Sequence, residues 1–126
     1  MIRIILAASS LCFLLGCGRR ALEPADLEQA GPALRTALEA WKDGKSQEEL
    51  TNQKPSILMN EDDWRMGKRL LDFRMEDQGA LSGRQVVWRA QIELQDKSGK
   101  TEKRRATYVI DTTPRLVIVR DRFASR

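Results

Sequence analysis

The residues best placed to do chemistry stand at the start of the chain, where Cys17 follows the small residue Gly16. A single cation, Arg3, precedes a mostly apolar run of twelve residues, residues 4–15. Such a run fits the core of an export signal and is too short to cross a bilayer as a helix. The thiol of Cys17 is a group to which acyl chains can be attached.

The run Leu14-Leu15-Gly16-Cys17 resembles the lipobox of bacterial lipoprotein precursors. The resemblance implies cleavage before Cys17, acylation of its sulfur and of the new amino terminus, and a location in the cell envelope, facing the periplasm or the cell exterior. Each buried methylene of an acyl chain contributes about 0.8 kcal/mol to membrane binding. A single chain binds only marginally, so stable anchoring requires more than one. A plain secretory signal and an uncleaved amphiphilic tail are the alternatives. Leu14 argues against a plain secretory signal, because ordinary export cleavage before Cys17 would require a small residue three positions before the cleavage point.

The expected domain organisation is a signal peptide at residues 1–16, a lipidated amino terminus and tether at 17–24, and one α+β domain at 25–126. Cleavage leaves 110 of the 126 residues, enough for one domain with a real core. With Arg3 removed, 21 of the 22 basic side chains remain against 18 acidic ones. This mild, interspersed charge predicts no binding of nucleic acid.

Most catalytic chemistry is excluded by composition. Histidine is absent from the sequence, and Cys17 would be the only cysteine of the mature chain. These facts exclude Ser-His-Asp and Cys-His catalytic sets, a disulfide, and thiolate or imidazole metal sites. Eighteen acidic residues leave a carboxylate pair as an alternative, although no pair stands out by its spacing. We therefore predict a protein that is not an enzyme and uses no metal or cofactor.

The strongest helical pattern covers residues 32–43. Its apolar residues fall at positions i, i+3, i+4 and i+7 and therefore share one face; they are Leu34, Ala37, Leu38 and Trp41. Any helix that begins earlier is expected to be kinked or restarted at Gly31 and Pro32. Ser46 and Glu49 form a capping-box pattern, which predicts a second, shorter helix.

After Gly67 the hydrophobic period changes to two, which predicts four strands joined by short turns. The run 57–59 is a candidate for a further short strand, Gly79 and Gly83 bracket a loop, and residues 116–119 form the last strand. The residues expected to face inward on the first three strands are Leu71, Phe73 and Met75, then Val86, Trp88, Ala90, Ile92 and Leu94, then Ala106, Tyr108 and Ile110.

Short turns between consecutive strands predict antiparallel neighbours. The predicted fold class is α+β, with an N-terminal helix and a short second helix packed on a four-stranded antiparallel meander. This order resembles the cystatin-like and NTF2-like architectures over roughly residues 25–122. Residues 41–46, WKDGKS, resemble the turn between the first two helices of NTF2-like domains. Because no third long helix is predicted, a cystatin-like or reduced NTF2-like form is favoured.

Three segments also resemble a group of uncharacterised planctomycete proteins. They are residues 40–46, 63–67 and 106–110. No activity is established for that group, so the resemblance implies a compartment and a fold and nothing more.

Aromatic residues are the first candidates for a binding site in the domain. Trp41, Trp88 and Tyr108 are expected to point toward the core, as packing anchors or as the walls of a pocket between helix and sheet. Acidic residues cluster just before residue 64, but the cluster lacks the glycine that an EF-hand calcium loop requires. Asp62 or Asp63 is instead expected to cap a turn.

The face of the sheet turned away from the helix is the second candidate. Val87, Val109 and one of Val117 or Val119 are expected to lie there. If they form a contiguous apolar patch, that patch indicates a homodimer or a partner-binding surface. The charge run at 103–105 predicts a solvated strand edge, with contact to an acidic partner or a lipid surface as the alternative.

The function predicted from these features is that of a membrane-anchored lipoprotein, not an enzyme, that binds another protein or supports an envelope assembly. Its membrane partner would be reached through the lipid anchor and its protein partner through the domain. The alternative is a domain that binds a small ligand or lipid in the concavity between helix and sheet, with Trp41, Trp88 and Tyr108 as its lining.

Overall fold

The computed structural model describes residues 24–123 and shows an α+β fold in which an N-terminal helix packs on a curled, mixed sheet. The predicted signal peptide and most of the predicted tether lie outside the described residues. In chain order the elements are α1 (Leu27–Lys42), a 3₁₀ turn (Gln47–Thr51), β1 (Ile57–Asn60), α2 (Asp62–Arg65), β2 (Arg69–Met75), β3 (Ala80–Ser82), β4 (Gln85–Gln95), β5 (Thr101–Asp111) and β6 (Leu116–Arg120).

The first helix runs without a break through Gly31 and Pro32, where we expected a kink or a restart. It begins at Asp26, whose carboxylate accepts a hydrogen bond from Glu28 N over 2.9 Å. Gly31 is buried against the ring of Trp88, and such packing outweighs the loss of one backbone donor at Pro32. The predicted apolar stripe is confirmed, because all of its members are buried, namely Leu34, Ala37, Leu38 and Trp41.

The predicted second, shorter helix is present as a 3₁₀ segment of five residues. Its capping box is present, since the Glu49 carboxylate accepts a hydrogen bond from Ser46 N over 2.7 Å. Leu50 is 1% exposed and packs into the core, and the turn lies against β1. The segment therefore connects α1 to the edge of the sheet.

The sheet is mixed and has six strands, so the predicted four-stranded antiparallel meander is wrong in two respects. First, β1 pairs in parallel with β6, with Ile57 opposite Leu116. Second, the predicted loop between Gly79 and Gly83 contains β3, which pairs with the start of β4. The strand order is β1-β6-β5-β4-β2. Because β6 ends the antiparallel series, its outer edge accepts a strand from earlier in the chain, a non-local pairing that local periodicity does not report.

The inward face of β2 differs from the predicted one by a single leucine. The register between β2 and β4 shifts between Leu70 and Asp72, which leaves Leu71 outside the regular ladder. Leu70 is 3% exposed and takes the inward position, whereas Leu71 is only half-buried. Phe73 lies on the predicted side, opposite Ile92. A bulge of this kind adds one residue to a strand, so strict alternation places the residue before it on the wrong face.

The two long strands, β4 and β5, define the two faces of the sheet. The predicted inward residues of β4 and β5 that form the core are Val86, Ala90, Ile92, Leu94, Ala106, Tyr108 and Ile110, each 2% exposed or less. Helix α1 packs across this inner face. The opposite face, here called the outer face, carries the alternate residues, and no helix between residues 24 and 123 packs on it.

Candidate functional site

The predicted lipid-attachment residue, Cys17, lies outside the residues that the structure describes, and its acylation stays a prediction. The described chain enters the domain where β3 turns into β4. There Ala25 N donates to Arg84 O, and Asp26 N donates to the Thr112 hydroxyl, each over 2.8 Å. Within residues 24–123, no helix combines the length and the hydropathy needed to cross a bilayer.

Trp41 and Tyr108 are core side chains, 3% and 0% exposed. The Trp41 indole nitrogen donates to Lys68 O over 2.9 Å, and its ring stacks on that of Trp64 with the ring centroids 5.4 Å apart. The Trp64 indole nitrogen in turn donates to Lys45 O over 3.0 Å. These contacts join the end of α1 to α2, which is a packing role.

Trp88 is half-buried and lies between two glycines. Gly31 on α1 and Gly79 before β3 approach its ring so closely that neither position has room for a Cβ atom. Trp88 is also the register partner of Tyr108. The structure therefore brings two of the three candidate aromatic residues together, while Trp41 lies near the other end of α1.

A buried ionic network, which we call the Glu61 cluster, joins α2 to β5 and β6. Its members are Glu61, Asp63, Lys68, Arg104, Tyr108 and Arg120. Glu61 is 0% exposed. Its Oε2 accepts from the Tyr108 hydroxyl over 2.6 Å, and its Oε1 accepts from Asp63 N over 3.0 Å. Arg120 Nη1 donates to both oxygens, over 3.0 and 3.1 Å.

Asp63, 4% exposed, holds the remaining cations of the cluster. Its Oδ1 pairs with Lys68 Nζ over 3.1 Å. Its Oδ2 accepts from Arg120 over 3.0 Å and from Arg104 over 3.2 Å. Each carboxylate oxygen of Asp63 and Glu61 therefore has a donor. A network satisfied in this way fixes the geometry of α2 against β5 and β6.

The electrostatics of the cluster reinforce this pairing. Burial raises the pKa of Tyr108 well above its ordinary value, and the charge of Glu61 raises it further, so the hydroxyl stays protonated and donates. Burial alone would lower the pKa of Arg120, but the charge of Glu61 and the contacts with Tyr108 and Asp63 together outweigh it, and the pKa is raised. Burial alone would raise the pKa of Asp63, but the surrounding cations outweigh it and the pKa is lowered.

Sequence reasoning missed the Glu61 cluster and misassigned the cap of α2. The N-cap is Glu61, not Asp62 or Asp63, and its carboxylate accepts from Asp63 N. Glu61 has the extended backbone that a cap residue requires, with φ −118° and ψ 116°, whereas the two aspartates already belong to the helix. A usable signal was Arg120, which continues the inward alternation of β6, because a charge at an inward position needs a buried partner.

The outer face carries Val87 and Val109, as expected, and both Val117 and Val119, where one of the two was expected. The ladder aligns Val87 with Val109 and Val109 with Val119, so three valines form one row across β4, β5 and β6. Leu58 and Val117 are aligned in the adjacent row, whose member on β5 is Asp111. Leu58 is 45% exposed, Val119 is 37% exposed, and the other three apolar residues are half-buried. These five apolar residues are called the valine patch, and their contiguity distinguishes them from scattered surface valines.

The row on the other side of the three valines is polar. Arg89 is aligned with Thr107, and Asp121 N donates to Thr107 O over 2.8 Å, which places Asp121 in the same row just beyond β6. Thr107 is 1% exposed, and its hydroxyl has no hydrogen-bond partner within the described part of the chain. One basic and one acidic side chain therefore flank a buried threonine beside the valine patch.

The charge run 103–105 lies where β5 is paired with β4 on one side only, as expected for a strand edge. Lys103 and Arg105 are exposed on the outer face. Arg104 points to the inner side, where it donates to Asp63 and to Glu102. Two residues of the run are therefore solvated and one is paired, and the charges oppose pairing of this edge with another strand.

Comparison with known protein families, with curated proteins and with solved structures gives no match to this chain. The fold and its surfaces thus define the class of protein. It is an α+β domain with one sheet face covered by a helix and with an apolar patch on the other face.

Proposed function

We propose that this chain is a lipoprotein, anchored to a membrane through Cys17 and exposed to the periplasm or the cell exterior, whose domain binds another protein of the cell envelope. The observation that carries the proposal is the valine patch. It is contiguous, it lies on the sheet face opposite α1, and it is bordered by charged residues, which is the composition of a protein-binding surface.

The anchor is inferred from the lipobox-like run that ends in Gly16 and Cys17. Two or three acyl chains give a lasting hold on a bilayer, so the domain would work within a tether's length of the membrane. A tether at residues 17–24 would enter the domain beside Arg84, at the end of the sheet where Ala25 is bonded.

A binding role agrees with the state of the acidic residues. The two buried carboxylates, Glu61 and Asp63, are each bonded on both oxygens, and neither is arranged as a general acid or base. Trp41 and Tyr108 are occupied by packing and hydrogen bonds, which favours protein binding over a ligand pocket between helix and sheet. We further propose that the fold is an open, cystatin-like variant, with α1 lying across the curled sheet.

The anchor is tested by Cys17→Ser. The wild-type protein is expected in the membrane fraction with an acylated Cys17 as its first residue, which mass spectrometry of that fraction would show. The variant is expected to lose the acyl chains and to change in size and sedimentation. If size, processing and sedimentation are unchanged, the anchor is not at Cys17.

The binding surface is tested by photo-crosslinking in cells. A photo-reactive residue placed at Val119, in the valine patch, is expected to form adducts with a protein. The same residue at Arg35, which is exposed on α1, is the matched control and is expected to form none. Equal capture at both positions, or at neither, would contradict the assignment of the outer face as the binding surface.

A further inference from the structure

We propose that the protein seated on the valine patch is a second copy of this chain, related to the first by a two-fold axis that passes over Val109 and runs close to the direction of β5. The proposal rests on the proposed function, because it names the partner of the same surface. It follows from the way residues are distributed on either side of β5.

The valine row is symmetric about β5. Val87 on β4 and Val119 on β6 lie one strand to either side of Val109. When two sheets pack face to face, a two-fold axis along the middle strand exchanges the two flanking strands. Val87 then lies opposite Val119 of the partner subunit, and Val109 lies opposite its own counterpart, so the apolar row is complementary to itself.

The polar row next to the valines distinguishes an axis along β5 from an axis across the strands. Arg89 and Asp121 occupy the positions one strand to either side of Thr107. The same operation places Arg89 opposite Asp121 of the partner subunit, and it does so twice in each dimer. A two-fold axis across the strands at the valine row would instead place Arg89 opposite a residue on the other side of that row, near Gln85. Charge complementarity therefore favours the axis along β5.

The charges farther along β5 limit the size of the contact. Lys103 and Arg105 lie on β5 itself on one side of Val109, and Asp111 lies on the same strand and face on the other side. The two copies of β5 must therefore separate in both directions from Val109 to keep like charges apart. Twisted sheets that pack face to face cross at about 30°, which provides this divergence. The contact is thus centred on Val109 and is smaller than the roughly 800 Å² per partner of a standard interface.

A small interface of this kind gives a weak dimer in dilute solution. Anchoring both copies in one membrane confines them to a thin layer and raises their effective concentration, so that a weak interface is occupied. A weak dimer, inferred from the valine patch, is therefore consistent with a membrane anchor, inferred from the amino terminus.

The test uses the full chain, extracted in detergent and reconstituted into phospholipid vesicles, with a photo-reactive residue at Val109. An adduct of twice the chain mass is expected. The fraction of crosslinked dimer in vesicles, measured over a series of protein-to-lipid ratios, then compares the variants. Arg89→Asp is expected to weaken the dimer by about tenfold, because two attractive oppositions become repulsive. The double variant Arg89→Asp/Asp121→Arg is expected to restore wild-type association, which a merely misfolded variant would not do.

Leu81→Arg is the matched control, since Leu81 is 51% exposed on β3 and is the register partner of inward Val86, away from the patch. It is expected to associate like the wild type. A monomer in vesicles, or a charge-swapped double variant that stays as weak as Arg89→Asp, would overturn the dimer. In that event adducts of Val119 with a different protein would leave the proposed function standing, whereas an adduct within one chain, or none, would overturn both.

Discussion

Glu61 and Tyr108 are 47 positions apart in the chain, yet the Tyr108 hydroxyl donates to Glu61 Oε2 over 2.6 Å with both side chains 0% exposed. Arg120 donates to the same carboxylate from β6. One carboxylate thus holds the short helix α2 against β5 and β6, the strands that carry Val109 and Val119. Removing it would disturb the orientation of β5 and β6, on which the outer face depends.

The titration of Tyr108 gives a direct view of this contact, because it is the only tyrosine in the chain. Burial, followed by the charge of Glu61, raises its pKa well above 10.0. The near-ultraviolet absorbance of tyrosinate is therefore expected not to appear in the folded protein as the pH rises through 10.0. Protein unfolded in urea is the control and is expected to titrate at the ordinary value. Tyrosinate in protein that is still folded at that pH would contradict the buried hydrogen bond.

The same pKa difference fixes the direction of the alkaline stability change. The unfolded state loses the Tyr108 proton at about pH 10, while the folded state keeps it. The stabilising contribution is present below that pH and is lost as the pH rises toward the folded pKa. The free energy of unfolding is expected to decline less steeply above pH 10.0 in Tyr108→Phe than in the wild type. Equal slopes would mean that Tyr108 ionises alike in both states.

Glu61→Gln is expected to destabilise the domain by about 3 kcal/mol, because it leaves the buried Arg120 short of one carboxylate. The change keeps the size of the side chain, so the loss would report charge and hydrogen bonding rather than packing. Urea unfolding followed by tryptophan fluorescence measures it. Glu48→Gln, an exposed acid in the 3₁₀ turn, is the matched control and is expected to change stability by less than about 0.5 kcal/mol. If both variants lose similar amounts of unfolding free energy, the contacts of Glu61 do not stabilise the domain.

Asp63 is expected to contribute to the decrease in the free energy of unfolding at acidic pH. Burial would raise its pKa, but the surrounding cations outweigh burial and lower it below 3.8. Its contribution is therefore complete above 3.8 and is lost as the pH falls through the folded pKa, because the unfolded state takes up the proton first. Asp63→Asn is expected to lower stability at neutral pH and to flatten the decline in acid. Urea titrations at a series of pH values measure the slope. Asp77→Asn, which changes an exposed acid after β2, is the control and is expected to change the free energy of unfolding at neutral pH by less than about 0.5 kcal/mol.

Local patterns predicted the parts of the fold that local forces determine. The apolar stripe of α1, the alternation of β4 and the outward valines were all readable, because burial of one face imposes a period on the sequence. The pairing of β1 with β6 was not readable, since Ile57 and Leu116 meet only after the whole intervening chain has folded. Leu70 was missed for a different reason, because a bulge breaks the period without leaving a mark in composition.

The candidate surfaces were predictable to unequal degrees. The alternating pattern alone predicts that Val87 and Val109 lie on the outer face. The opposition of Arg89 and Asp121 about Thr107 needs the register of three strands, which the sequence does not contain. The Glu61 cluster depends on a turn that brings Glu61 to Tyr108, whereas the acidic run by itself predicts only that Asp62 or Asp63 caps a turn.

The last prediction concerns Gly31, where helix propensity and packing oppose each other. Replacing a helical glycine by alanine ordinarily stabilises a helix by about 1 kcal/mol. Here the new Cβ would lie 2.9 Å from Trp88 Cη2. The ring has little freedom to withdraw, because Gly79 lies against it and its indole nitrogen donates to Glu76 O over 2.8 Å. Gly31→Ala is therefore expected to destabilise the domain by about 1–3 kcal/mol.

A double-mutant cycle separates the collision from any other effect of the alanine at Gly31. Trp88→Phe removes the part of the ring that the new methyl group would meet, at the cost of a cavity of its own. In that background Gly31→Ala is expected to become neutral or stabilising, so the coupling between the two sites would be about 1–3 kcal/mol. Urea unfolding of the four proteins measures it. If the two losses simply add, the ring does not limit the space at Gly31, and the continuity of α1 through Pro32 would need another cause.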